Sequence, residues 1–141
     1  MILKYALLWA VSFLGISAVD ALWHFGLWGR IYRADIRKVA AIVDGKPVLH
    51  NTSGLLAQVL VITAFVVLAS LHFHSDTPVL KAVIACAMGG ILAISVYGLV
   101  NHWLIRDWSP AMTVLEVVWG PIIGALAGAF IAWAAKLLKI Y

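Results

Sequence analysis

The chain has 141 residues, of which 65% are hydrophobic and only 11% charged, far too little charge to clothe a water-solvated globule, where about a quarter of residues are charged. The formal charge of +4 therefore bears on orientation in a bilayer and not on nucleic acid. The single cysteine, Cys86, lies in an apolar run; it excludes an internal disulfide and a cysteine metal cluster, and reads as a small buried hydrophobe.

Four stretches reach the ~20 apolar residues that a helix needs to cross the hydrocarbon core: residues 2–28, 54–73, 79–105 and 111–135. They lack the alternation of barrel strands, so a helical ladder is how their backbone is satisfied in lipid. The fold expected is all-α: one membrane domain over residues 1–141, an integral four-helix bundle with a short interfacial amphipathic helix after the first span. The first span opens like a secretion signal, with Lys4 before an apolar run, but it is too long for one and ends on Trp28 and Arg30 as an interfacial anchor does.

Between the first two spans, Ile31, Ile36, Val39, Ile42 and Val43 recur at helical spacing, with Asp35 the one polar residue on their stripe and Arg30, Arg33 and Arg37 on another. That pattern predicts a helix over residues 31–43 in the headgroup plane, with Arg33 and Arg37 on lipid phosphates. Asp44-Gly45-Lys46-Pro47 then reads as a turn, and Asn51-Thr52-Ser53 as caps for the second span. Short connections at His72–Pro78 and Arg106–Pro110 make successive spans antiparallel neighbours. Pro110 suits a helix start, and Trp103 and Trp108 suit an interfacial belt.

The last two spans carry ladders of small residues at every fourth position. In the third these are Ala85, Gly89 and Ala93, continued by Tyr97 and Asn101; in the fourth Glu116 leads into Gly120, Gly124 and Gly128. Folded antiparallel, they bring Asn101 near Glu116, Tyr97 near Gly120 and Ala93 near Gly124. Small residues drive helix association in lipid by close van der Waals approach. A homodimer contact through the same face is the alternative to this internal packing. Pro121 removes the donor for the Val117 carbonyl, and a kink is expected there.

Polar residues inside spans are expensive and so mark candidate sites. Asp20 and His24 lie one turn apart on the first span, Tyr97 and Asn101 share a face of the third, and Glu116 is the only glutamate. At 1.5 Å per residue, Asp20 lies about 15 Å inside Arg30, Tyr97 about 13 Å inside Arg106 and Glu116 roughly 9 Å past Pro110. All fall in the half of the bilayer next to the basic loop. Asp20-x-x-Trp23 and Glu116-x-x-Trp119 also repeat one local pattern, each with a glycine close behind at Gly26 and Gly120. Asp20, His24, Tyr97, Asn101 and Glu116 are accordingly the candidate polar ligand-binding groups, with Trp23, Trp103 and Trp119 as walls. The plainer reading of the same residues is interhelical glue, hydrogen-bonded across the bundle. His72-x-His74, and His24 with His102, are too sparse to imply a metal or haem, and no cofactor is expected.

Taken together, Asp20-Ala-Leu-Trp23, Gly26, Tyr32, Tyr97-Gly-Leu-Val-Asn101, Trp108, Thr113 and Glu116-Val-Val-Trp119-Gly120 resemble the small bacterial inner-membrane proteins of the domain of unknown function twenty-one seventy-seven. That family usually has aspartate at the position of Glu116, and an aspartate-bearing turn where this chain has Gly98-Leu99. The resemblance implies four spans and a bacterial inner membrane, and no activity.

The function expected is binding, or translocation, of a small or lipid-like ligand in a polar pocket in one half of the bilayer, with membrane lipids as surroundings and no nucleic-acid partner. Two alternatives stand beside it: a structural subunit of a larger membrane complex or homodimer, and an intramembrane enzyme using Asp20 or Glu116 as acid or base. No nucleophile motif marks the enzyme. Six basic residues flank the spans on the loop side and four on the terminal side, which favours a cytoplasmic loop and external termini.

Overall fold

The computed structural model describes residues 1–48 and 50–141. Four helices are long and apolar enough to cross a bilayer: Ile2–Leu27, Asn51–Ser70, Pro78–Leu104 and Pro110–Leu137. The outer faces remain apolar, with Leu14, Leu60, Leu92 and Leu126 all exposed. That is a sensible surface only against lipid tails.

The fourth span is the axis of the bundle and packs against each of the other three. Its composition explains why. Gly120, Gly124, Ala127, Gly128, Ala132, Ala134 and Ala135 are all buried, so neighbours approach its backbone from more than one side. Against the third span the approach is backbone on backbone. A Cβ on Gly124 would sit on the Cys86 carbonyl, one on Gly128 on the Ala82 carbonyl, and one on Gly90 on the Gly120 carbonyl.

The seam on the third span therefore runs through Ala82, Cys86 and Gly90, then Ser95 and Gly98, and not along Ala85, Gly89 and Ala93. Gly89 faces Leu68 and Phe65 of the second span instead. The pairing shifts accordingly: Gly98 stands beside Glu116, Ser95 beside Gly120, and Gly90 beside Gly124. Beyond Gly90 the seam steps five residues to Ser95, across a π-helical stretch at Ile91–Ser95. A π turn admits one extra residue, so a strict fourfold spacing loses phase across it.

The same π turn resolves the backbone problem at Pro121. The fourth helix runs unbroken through that proline. The Val117 carbonyl, which Pro121 cannot serve, accepts a hydrogen bond from the Ser95 hydroxyl at 2.9 Å.

After the first span, Trp28 leaves helical geometry, and an amphipathic helix over Gly29–Val39 folds back onto the start of the fourth span. It buries Tyr32 and Asp35 and exposes Arg30, Arg33, Arg37 and Lys38. The helix stops four residues short of the reach expected from the apolar stripe. Ala40 is extended, and Ile42–Val43 pair with Lys46–Pro47 in a small antiparallel hairpin. Its turn places Asp44 and Gly45 at φ of 52° and 73°, the geometry that an Asp-Gly pair favours. The second span begins at Asn51 with His50 in the cap position, so Asn51, Thr52 and Ser53 form its first turn.

Asp35, the odd polar residue of the apolar stripe, fastens this helix. Its carboxylate accepts from Lys38 Nζ at 2.5 Å and from the Ser109 hydroxyl at 2.5 Å. Ser109 in turn caps the fourth span by accepting from the Met112 N–H at 3.1 Å. Burial works against the charge, but the Lys38 ammonium and the Ser109 hydroxyl outweigh it and hold the Asp35 carboxyl below its usual range. A lowered carboxyl stabilises the docked helix fully above the ordinary carboxylate pKa of about 3.9, and the contribution is lost as pH falls through the lowered value. Lys38 is 55% exposed, so solvent screens much of the ion pair and the hydrogen bonds dominate. Asp35→Ala should then cost about 1 kcal/mol of docking, which makes the undocked helix about fivefold more populated. The rate of limited trypsin cleavage after Arg37 and Lys38 measures this, and an unchanged rate would show that Asp35 does not hold the helix.

A candidate ligand cavity at the loop-side half of the bundle

The cavity is built where three features meet. The last turn of the first span is π-helical over Leu22–Leu27, the amphipathic helix folds back beneath it, and the first half of the fourth span crosses behind. Gly98 of the third span is bare beside Glu116. A Cβ there would lie 2.7 Å from the Glu116 Cβ, so the glycine makes room for the acid.

Asp20 and Glu116 are joined through His24. Trp119 Nε1 donates to Asp20 Oδ1 at 2.8 Å, and the Tyr32 hydroxyl donates to Glu116 Oε1 at 2.9 Å. His24 Nδ1 lies 2.9 Å from the Asp20 carbonyl oxygen and 3.4 Å from Asp20 Oδ1. A carbonyl can only accept, so this nitrogen carries a proton. The other ring nitrogen, Nε2, stands 3.6 Å from Glu116 Oε1, just beyond hydrogen-bond reach.

The aromatic residues complete the frame. Trp23 and Trp119 stack with centroids 4.3 Å apart and planes 7° from parallel, so the two acid-x-x-Trp units of the sequence meet across the bundle. The Tyr32 ring lies 4.6 Å from that of His24. Burial, and then the neighbouring Glu116 carboxyl, pushes the Tyr32 hydroxyl above its ordinary range, which keeps it a donor. Trp108 is buried against Tyr32 and Met112 and is no member of an interfacial belt.

Asp20, His24, Tyr32, Trp119 and Glu116 line a cavity of about 500 Å³ whose remaining walls are mostly apolar, among them Ile36, Val39, Val61 and Ile94, with Gln58 as a further polar residue. That volume falls within the ~300–1,000 Å³ of small-molecule sites. A second cleft, of about 470 Å³, shares Asp20, His24, Tyr32, Ile36 and Gln58 and continues along Phe13, Ala21, Phe25 and Leu55. Phe25 and Leu55 are 68% and 59% exposed, so this cleft reaches the outer face between the first two spans.

Of the residues singled out from sequence, Asp20, His24, Tyr97, Glu116 and Trp119 line the main cavity. Tyr97 is half exposed at its rim and meets Trp108 edge-on at 6.0 Å. Trp23 supports Trp119 from behind. Asn101 and Trp103 do not line it: Asn101 is half-buried with its amide nitrogen unpartnered, and Trp103 is 82% exposed on the outer face. Arg33 and Arg37 lie on the exposed face of the amphipathic helix, away from the cavity lining. Sequence reasoning passed over Tyr32 as a site residue, and over Trp108 and Gln58. Gln58 carried a readable signal as the only glutamine, set within an apolar span; its amide donates to the Ser17 hydroxyl at 3.2 Å.

A family model described as "Predicted membrane protein (DUF2177)" matches residues 4–133. No curated protein and no solved structure matches the chain.

Proposed function

The chain belongs to the DUF2177 family of predicted membrane proteins, and we propose that this multi-pass membrane protein binds a small amphiphilic molecule in the cavity enclosed by its four spans and the amphipathic helix. One observation carries the reading. Asp20, His24, Tyr32 and Glu116 lie together in the lining of a cavity whose other walls are mostly apolar, the arrangement that holds a ligand with one polar end. The cleft toward Phe25 and Leu55 supports entry sideways from the bilayer. We place the protein in a bacterial inner membrane with the basic segment from Arg30 to Lys46 in the cytoplasm, on the excess of basic residues on that side.

Native mass spectrometry of gently solubilised protein, beside Glu116→Gln, tests the reading. Glutamine can still accept from Tyr32, so the variant should fold and lose the bound mass. A wild type that carries no small molecule, or one that carries a second polypeptide in its place, would overturn the proposal.

A further inference from the structure

The charge and hydrogen-bond pattern of the cavity narrows the chemistry of its occupant; this step rests on the ligand-binding reading above. The lining holds two carboxyl groups and no lysine or arginine. His24 is the one basic side chain beside them, so the two acids are not matched group for group. All protein contacts to these acids fall on one oxygen of each, Oδ1 of Asp20 and Oε1 of Glu116. The second oxygens are left to accept from a ligand. An uncompensated charge in the bilayer is expensive, so a cation is the favoured complement.

The walls agree with this assignment. Tyr32, Tyr97 and Trp108 present aromatic rings to the cavity, and such rings attract cations through their faces.

We infer that the cavity takes a cationic amphiphile: a protonated amine seated between Asp20 and Glu116, and an apolar chain leaving along the cleft past Phe13 and Phe25. A free alkylamine and the amine headgroup of a phospholipid share this chemistry.

Thermal unfolding of wild-type protein in maltoside micelles, with dodecylamine, dodecanol, dodecanoate or a short-chain phosphatidylethanolamine added, tests it. Dodecylamine should raise the midpoint at a concentration about tenfold or more below that needed for dodecanol, since a charge-assisted hydrogen bond is worth at least that ratio. Dodecanoate should have no effect. Asp20→Asn should abolish the preference for the amine. A matching response to phosphatidylethanolamine would assign the site to a lipid headgroup, and its absence to a single-chain amine. Equal responses to dodecylamine and dodecanol, or a stronger response to dodecanoate, would overturn the cationic assignment and leave the cavity as a binding site. No response to any of the four, with no small molecule retained in native mass spectrometry, would overturn the ligand-binding reading itself.

Discussion

Gly124→Ala should strongly reduce the yield of folded protein, and Gly124→Val should abolish it, whereas Gly89→Ala should be nearly neutral. Inside a helix, replacing glycine by alanine by itself stabilises by about 0.5–1 kcal/mol. At Gly124 that gain is overwhelmed. The new methyl would sit on the Cys86 carbonyl and 2.9 Å from the Ala87 Cα, and both of these are backbone. Neither can rotate away, so the third and fourth spans must move apart and lose contact at Gly120 and Gly128 as well. Overpacking of this kind costs about 1–3 kcal/mol, occasionally more, and lipid supplies no hydrophobic force to pull the helices back. At Gly89 the methyl would meet Leu68 Cδ1 at 2.7 Å, the far end of a flexible side chain that can turn aside. The monodisperse fraction in size-exclusion chromatography, followed by thermal unfolding of what is recovered, separates the two. If Gly89→Ala were as damaging as Gly124→Ala, the seam would run along the fourfold ladder and not through Ala82, Cys86 and Gly90.

That contrast also marks where sequence reading stopped. The four spans, the basic amphipathic segment and the small-residue face of the fourth helix were legible because hydropathy and composition determine them locally. The partner stripe was not. Cys86 and Gly90 directly follow Ala85 and Gly89, and both stripes are small, so composition does not choose between them. The choice is made by packing, which turns Gly89 to the second span and Gly90 to the fourth; the π turn at Ile91–Ser95 then shifts the phase beyond Gly90. The site divides in the same way. Asp20, Glu116 and their tryptophans stood out as polar groups at one depth and as a repeated acid-x-x-Trp pattern. Tyr32 joined them only because the chain folds back after Trp28, a tertiary event. Asp35 had a signal, an acid on the apolar stripe of an amphipathic helix, but its partner Ser109 lies 74 residues away. Trp103 and Trp108 sit five residues apart near one boundary; only packing sends one outward and buries the other.

Trp119→Ala should be the most damaging single change at the polar cluster. The indole is 3% exposed, stacks on Trp23 of the first span, and donates to Asp20 at 2.8 Å. Truncating a buried tryptophan costs about 3–5 kcal/mol through lost burial and the cavity left behind. Trp119→Phe isolates the polar part. It keeps an aromatic ring against Trp23 but removes the N–H, so Asp20 loses its donor from the fourth span; the expected cost is about 1–3 kcal/mol. Asp20→Asn should be milder than Trp119→Phe, because an amide oxygen still accepts from Trp119. Unfolding in mixed micelles gives this order directly. The order also separates structural glue from a site within one cluster. If Asp20 and Glu116 were glue alike, Asp20→Asn and Glu116→Gln would lower stability in proportion and leave no separate ligand effect. A site instead requires Trp119 variants to move stability, and Glu116→Gln to keep wild-type unfolding while losing the bound molecule. The two acids share a histidine but face different neighbours, Trp119 in one case and Tyr32 in the other, so the two outcomes can be read independently.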